Sequence, residues 1–129
     1  MPTVRTDVDA VSLVAEARSR GLMVHPQQLD VRDVASVNEA VARIVAAHGH
    51  IDVLVNYEGL GVVRAAFDVT EADWDEMMAV HLRGAFFMSQ AAARATGESG
   101  RGGRIVNISS QGSLVGLRDA AVYCAARPA

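Results

Sequence analysis

Ser110 and Tyr123 stand thirteen positions apart, and Arg127 follows the tyrosine by four. A hydroxyl, a phenol and a fixed cation form a proton-handling set. The serine can hydrogen-bond a substrate oxygen and steady charge that develops on it. The phenol can exchange a proton with that oxygen. An unperturbed phenol has a pKa of about 10, too high for proton loss near neutrality. A neighbouring cation favours the phenolate, which makes the phenol a usable general acid or base. On a continuing helix, positions 123 and 127 share one face.

These residues need elements to position them. Residues 104–109, Arg-Ile-Val-Asn-Ile-Ser, read as a strand that delivers Ser110 to its far end, and a helix starting near Ala120 carries Tyr123. Upstream, strand and helix alternate. Residues 4–6 form a short strand candidate. Residues 9–20 read as a helix with apolar Val11, Val14, Ala15 and Ala17, stopped by Gly21. Residues 22–29 are strand-like, although Pro26 removes one ladder donor. Asp33 N-caps a helix over 34–48, with Val37, Val41, Ile44 and Val45 at helical spacing and Gly49 as the stop. Ile51 to Val55 is a compact apolar run suited to a buried parallel strand. Thr70 caps a long helix to about Ala95, and the glycine-rich stretch 97–103 reads as a loop. This alternation predicts a single α/β domain over residues 1–129, with parallel strands and crossover helices.

Composition narrows the function classes. Half of the 129 residues are apolar and 21% are charged, with a net charge of −3, which is ordinary globular chemistry. No basic stripe points to nucleic acid and no cationic face to an anionic membrane. The single cysteine, Cys124, allows no internal disulfide, and no apolar run approaches the roughly 20 residues of a membrane span. A cytoplasmic chain is expected. His25, His48 and His50 lack the cysteine or carboxylate spacing of a metal site, so no metal is expected.

Several local patterns together resemble the short-chain dehydrogenase/reductase family. Residues 52–59, Asp-Val-Leu-Val-Asn-Tyr-Glu-Gly, resemble its strand-end motif, usually Asn-Asn-Ala-Gly. Trp74-Asp75 and the run Val80-His81-Leu82-Arg83-Gly84 resemble its long central helix. Residues 103–110 resemble the strand carrying its catalytic serine, and Tyr123-Cys124-Ala125-Ala126-Arg127 resembles its Tyr-x-x-x-Lys element. The resemblance implies an NAD(P)-dependent oxidoreductase acting on a small alcohol or ketone. It casts Tyr123 as the acid/base, Ser110 as the oxygen-binding hydroxyl and Arg127 in the lysine's place. It also implies cofactor contacts at Asp7, Asp30, Val31, Asn56 and Gly59. Asp7 would hydrogen-bond the adenosine ribose and favour NAD over NADP, or else cap the first helix. A homo-oligomer built on the central helix is implied as well.

Four departures accompany the resemblance. The family's Gly-x-x-x-Gly-x-Gly turn, which holds the pyrophosphate with backbone N–H groups, and its first strand have no counterpart. The expected fold is therefore an incomplete Rossmann-like parallel sheet, with impaired or absent cofactor binding. Residues 4–6 are expected either to form no stable strand or to pair beside residues 53–55. Arg127 replaces the lysine and precedes Pro128, which disfavours helical backbone and predicts a frayed, solvated cation. His81 stands where the family has an asparagine. Tyr57 and Glu58 replace a smaller pair and could obstruct the cofactor. A second expectation follows: a non-catalytic fragment or degenerate paralogue that acts as a packing partner for other subunits.

Overall fold

The computed structural model describes residues 3–4 and 7–127, with side chains described from Ala10 to Arg127. In chain order its elements are β1 (Thr3–Val4), α1 (Asp7–Ser19), β2 (Gln27–Gln28), α2 (Val34–His48), β3 (Val53–Asn56), α3 (Glu71–Met78), a π-helical segment (Ala79–Gly84), α4 (Ala85–Ser99), β4 (Arg104–Asn107) and α5 (Ala121–Ala126). Short 3-10 turns lie at Ala66–Asp68 and Gln111–Ser113.

Strand, helix, strand is the repeating unit, and both strand pairs are parallel. β1 pairs with β2 (Thr3 with Gln27, Val4 with Gln28), and β3 pairs with β4 from Val53–Arg104 through Asn56–Asn107. The architecture is α/β with crossover helices, as the alternation predicts. The sheet is divided into two two-stranded parts. Residues 3–4 take β2 as their partner, so among the described residues the expected pairing beside residues 53–55 does not occur; residues 5–6 of that candidate lie outside the described residues. A local βαβ unit closes a shorter loop than a pairing across α2 would require.

Caps set the helix limits. The Asp33 carboxylate accepts the Ala35 N–H at 2.9 Å, and Gly49 ends α2 in the left-handed region at φ 81°. Thr70 and Asp73 form a reciprocal capping box: Thr70 Oγ1 accepts the Asp73 N–H at 3.1 Å, and Asp73 accepts the Thr70 N–H at 2.9 Å. The long helix expected from Thr70 is interrupted. Its register changes through the π-helical segment at Ala79–Gly84, then runs past Gly97 to Ser99, where Gly100 caps it at φ 68°. Gly97 is thus inside a helix rather than in the expected loop. One glycine costs only about 1 kcal/mol there, which packing of the buried Met88, Ala91 and Ala92 offsets. The strand expected over residues 22–29 contracts to Gln27–Gln28.

Two apolar cores result. One joins α2 to α4 and the end of β2 through Leu29, Val37, Ala40, Val41, Met88 and Ala91. The other joins α3 to α5 through Met77, Val122 and Ala126, and Tyr123 packs against it. The β3 run is not buried on both faces. Val53 and Val55 are each 52% exposed, whereas Asn56, two positions beyond Leu54, is buried. Val11 at 72% exposure also lies outside the core. Among the described residues no helix is long and apolar enough to cross a membrane.

Candidate active site at the strand ends

Because β3 and β4 run parallel, their carboxyl ends open onto the same edge. That edge is where open α/β sheets bind ligands. It brings residues 56–59 beside residues 107–110. Asn56 fastens the two strand ends: its amide nitrogen donates to Asn107 Oδ1 at 2.8 Å and to Ser89 Oγ at 3.0 Å. Ile108 N–H continues the register, donating to Asn56 O at 2.9 Å.

Ser110 sits at the start of the 3-10 turn, with its hydroxyl accepting the Gly112 N–H at 3.2 Å. Gly112 is buried against α5. A Cβ there would lie 3.3 Å from Tyr123 Cδ1, from Cys124 Sγ and from Leu117 Cδ1. The turn that holds Ser110 therefore rests on the ring of Tyr123. Sequence spacing pointed to both residues. Gly112 between them was missed, although a glycine two positions beyond the serine is the signal for such close packing.

Arg127 departs from expectation. Its backbone is non-helical (φ −108°, ψ 69°), in keeping with the following proline. The side chain is neither frayed nor solvated: it is half-buried and crosses the strand ends. Nη1 donates to Ile108 O and Nη2 donates to Glu58 O, the latter at 3.2 Å, while Cζ stands 5.7 Å from the Tyr123 ring centroid. The planar guanidinium fork reaches two carbonyls at once, where an ammonium would act as a single point. Gly59 makes room for it, since a Cβ at that position would strike Arg127 Nη2 and come within 2.8 Å of His81 Cε1.

His81 is held in the π-helical segment and is only 7% exposed. Such segments are common at functional sites. Its Nε2 lies 2.6 Å from Leu60 O and 3.2 Å from Leu60 N, and its ring meets Tyr123 edge-on at 5.5 Å between centroids. Burial pushes its pKa below the ordinary imidazole value, and the Arg127 charge adds to this against the opposing pull of the Leu60 hydrogen bond and of Glu58. The Leu60 backbone as the imidazole's anchor left no signal in the sequence.

Of the positions expected to contact a cofactor, Asn56 and Gly59 lie in this group. Asp30 and Val31 follow β2. The Asp30 carboxylate takes Arg32 Nε at 2.9 Å and Nη2 at 2.7 Å, and this pairing, with Glu76, raises the guanidinium pKa. Val31 packs against Gly84, where an added Cβ would lie 3.0 Å from Val31 Cβ. The Asp7 side chain lies outside the described residues, though its backbone begins α1. Tyr57 is 75% exposed and does not fill the site, whereas Glu58 contributes its carbonyl to Arg127.

Two openings flank the group. A cleft of about 610 Å³ is lined by Gly59, Leu60, Val62, Ser109, Tyr123 and Arg127. A second of about 380 Å³ is bounded by Asn56, Glu58, His81, Ser89, Asn107 and Arg127. Among the described residues no group of three or more metal-ligating side chains is gathered. The arrangement can polarise an oxygen and pass a proton to it, with the space over Gly59 taken by the Arg127 fork.

The comparisons agree with this fold. The short chain dehydrogenase family model matches residues 3–129. Sorbitol dehydrogenase of Cereibacter sphaeroides is 36% identical over 95% of this chain and 48% of its own length. D-threitol dehydrogenase of Mycolicibacterium smegmatis is 41% identical over 76% of this chain and 37% of its own. A metagenomic short-chain oxidoreductase solved in complex with NADP superposes with a TM-score of 0.88 at 28% identity, covering 97% of this chain and 57% of that one. The chain thus spans about half the length of the curated relatives it matches. With a family model matched from residue 3 to the end and a Rossmann-like α/β fold shared with solved relatives, the chain belongs to the short-chain dehydrogenase family.

Proposed function

We infer that this chain carries the proton-handling half of an NAD(P)-dependent oxidoreductase that interconverts a small alcohol and its ketone. The observation that carries the reading is the seating of the Tyr123 ring on the Ser110 turn, beside the Arg127 cation and at the carboxyl ends of two parallel strands. Tyr123 gives a proton to, or takes it from, the substrate oxygen, and Ser110 holds that oxygen. Arg127 supplies the cation beside the ring, its Cζ 5.7 Å from the ring centroid. A bound nicotinamide supplies hydride acceptance or donation.

The residues present fit one end of such a cofactor. Gly59 keeps a Cβ out of the crevice, where Arg127 Nη2 and His81 Cε1 stand, and Asn56 locks the spacing of the strand ends. Asp30 and Val31 would meet the adenine, and Asp7 the ribose, with NAD preferred over NADP. The guanidinium across Glu58 O and Ile108 O stands in the same crevice, and the sheet is divided beside β3. Both features support weakened cofactor binding. Exposed Leu82 and Phe86 support a homo-oligomeric contact, and a cytoplasmic location accompanies the reading.

The test is nicotinamide absorbance on mixing the protein with NAD and sorbitol, threitol or simple secondary alcohols. Slow, dinucleotide-dependent oxidation is expected, and Tyr123→Phe should reduce it by about 10²–10⁴-fold. Turnover indifferent to that substitution would refute the role of the phenol.

A second reading is favoured by one observation. Val53 and Val55 are half exposed on a strand that, among the described residues, is paired on one side only, the surface a packing partner needs. In that reading the chain does no chemistry. Failure to bind NAD at millimolar concentration, with self-association or capture by full-length family members, would support it.

A further inference from the structure

The buried side-chain polar atoms without a hydrogen-bond partner inside the protein, among the described residues, are Asn56 Oδ1, His81 Nδ1 and Arg127 Nε. All three belong to residues that line the 380 Å³ opening beside Tyr123. Unpaired buried polar atoms are uncommon, and three on one cavity call for an explanation. His81 is central among them. It touches the phenol ring on one side and the Leu60 backbone on another, and its Cε1 and Arg127 Nη2 both border the space that a Cβ on Gly59 would need.

The short contact of Nε2 to Leu60 O is satisfied when Nε2 carries the hydrogen, which leaves the lone pair on Nδ1. A second proton would go on Nδ1, where no acceptor of the protein waits. It would also set a full positive charge beside the Arg127 guanidinium. The titratable groups facing His81 are Glu58 from the loop after β3, Tyr123 from α5 and Arg127 just beyond its end. The lining contributed by α4 and β4 (Ala85, Ser89 and Asn107 among it) carries no charge. Among these groups, one half-buried carboxylate stands with one guanidinium and one phenol.

We propose that His81 is the positioning residue of the proton-handling end: as a neutral wedge it seats Tyr123 and Arg127, and its protonation unseats Arg127 from the Glu58 and Ile108 carbonyls. The proposal deepens the oxidoreductase reading by giving that site an acid-side control, and the device itself needs no cofactor. Its sign follows from burial. The folded pKa lies below the ordinary 6.5, so the stability tied to neutral His81 is complete above pH 6.5. It declines as pH falls through 6.5 toward the folded value, because the unfolded chain takes the proton first.

The experiment is NMR on the isotope-labelled protein without dinucleotide, following the His81 ring, the Tyr123 ring and Arg127 Nε–H as pH falls from above 6.5 to well below it. All three signals should move along one titration curve with a midpoint below 6.5, with loss of Arg127 Nε–H protection at its acid end. In His81→Asn the Tyr123 and Arg127 shifts over that range should disappear. If that variant does not fold, His81→Gln and the coincidence of the wild-type curves decide. Glu58→Gln should move the common midpoint further down. Titration of His81 at 6.5 or above would overturn the proposal. So would Arg127 and Tyr123 signals that stay still while His81 titrates, or that move equally without it. Failure of alcohol oxidation with these results intact would count against the oxidoreductase reading alone.

Discussion

Met77→Ala tests whether the helix bearing Tyr123 depends on a core of its own. Met77 is fully buried, and its partners Val122 and Ala126 belong to α5. Truncation removes the equivalent of two to three methylene groups, about 2 kcal/mol of transfer free energy at about 0.8 kcal/mol each. Each ~40 Å³ of cavity that fails to collapse adds about 1 kcal/mol. Ala126 is itself fully buried and has no side chain long enough to fill the space, so the expected loss is about 3 kcal/mol. Urea unfolding reads this loss. Tyr123 ring signals, which should broaden or shift, read its location. Val37→Ala is the control. Val37 is equally buried but lies in the core between α2 and α4, so it should lower stability and leave the Tyr123 ring unmoved. A loss under about 1 kcal/mol for Met77→Ala, or an identical Tyr123 response in both variants, would refute the division into two cores.

Gly59→Ala should cost about 1–3 kcal/mol, because the added methyl meets the buried His81 ring and the clamped Arg127 fork; urea midpoints together with the Arg127 Nε–H signal check it. The carboxylate of Asp73 is held below the ordinary 3.8, first by the Thr70 hydroxyl and next by its backbone N–H. Stability from this capping box is therefore present above pH 3.8 and lost as pH falls through the lowered value. Amide exchange at the start of α3 should show that loss, and Thr70→Ala should reduce the acid dependence, since the backbone N–H at position 70 and Arg64 still face Asp73.

The sequence by itself determined what local chemistry determines. Asp33, Thr70 and Gly49 fix helix ends because capping acts within a few residues. Alternating apolar segments fixed the α/β class, and the spacing of Ser110, Tyr123 and Arg127 marked the candidate site. The tertiary structure decided what depends on neighbours distant in the chain. The π-helical register at Ala79–Gly84 and the burial of His81 against Leu60 arise from packing across twenty-one positions, which no periodicity records. The fate of Arg127 shows the same division. Proline at 128 correctly forecast a non-helical backbone at 127, because that effect is steric and adjacent. The side chain was fixed instead by carbonyls at 58 and 108, which parallel pairing of β3 with β4 carried to within its reach.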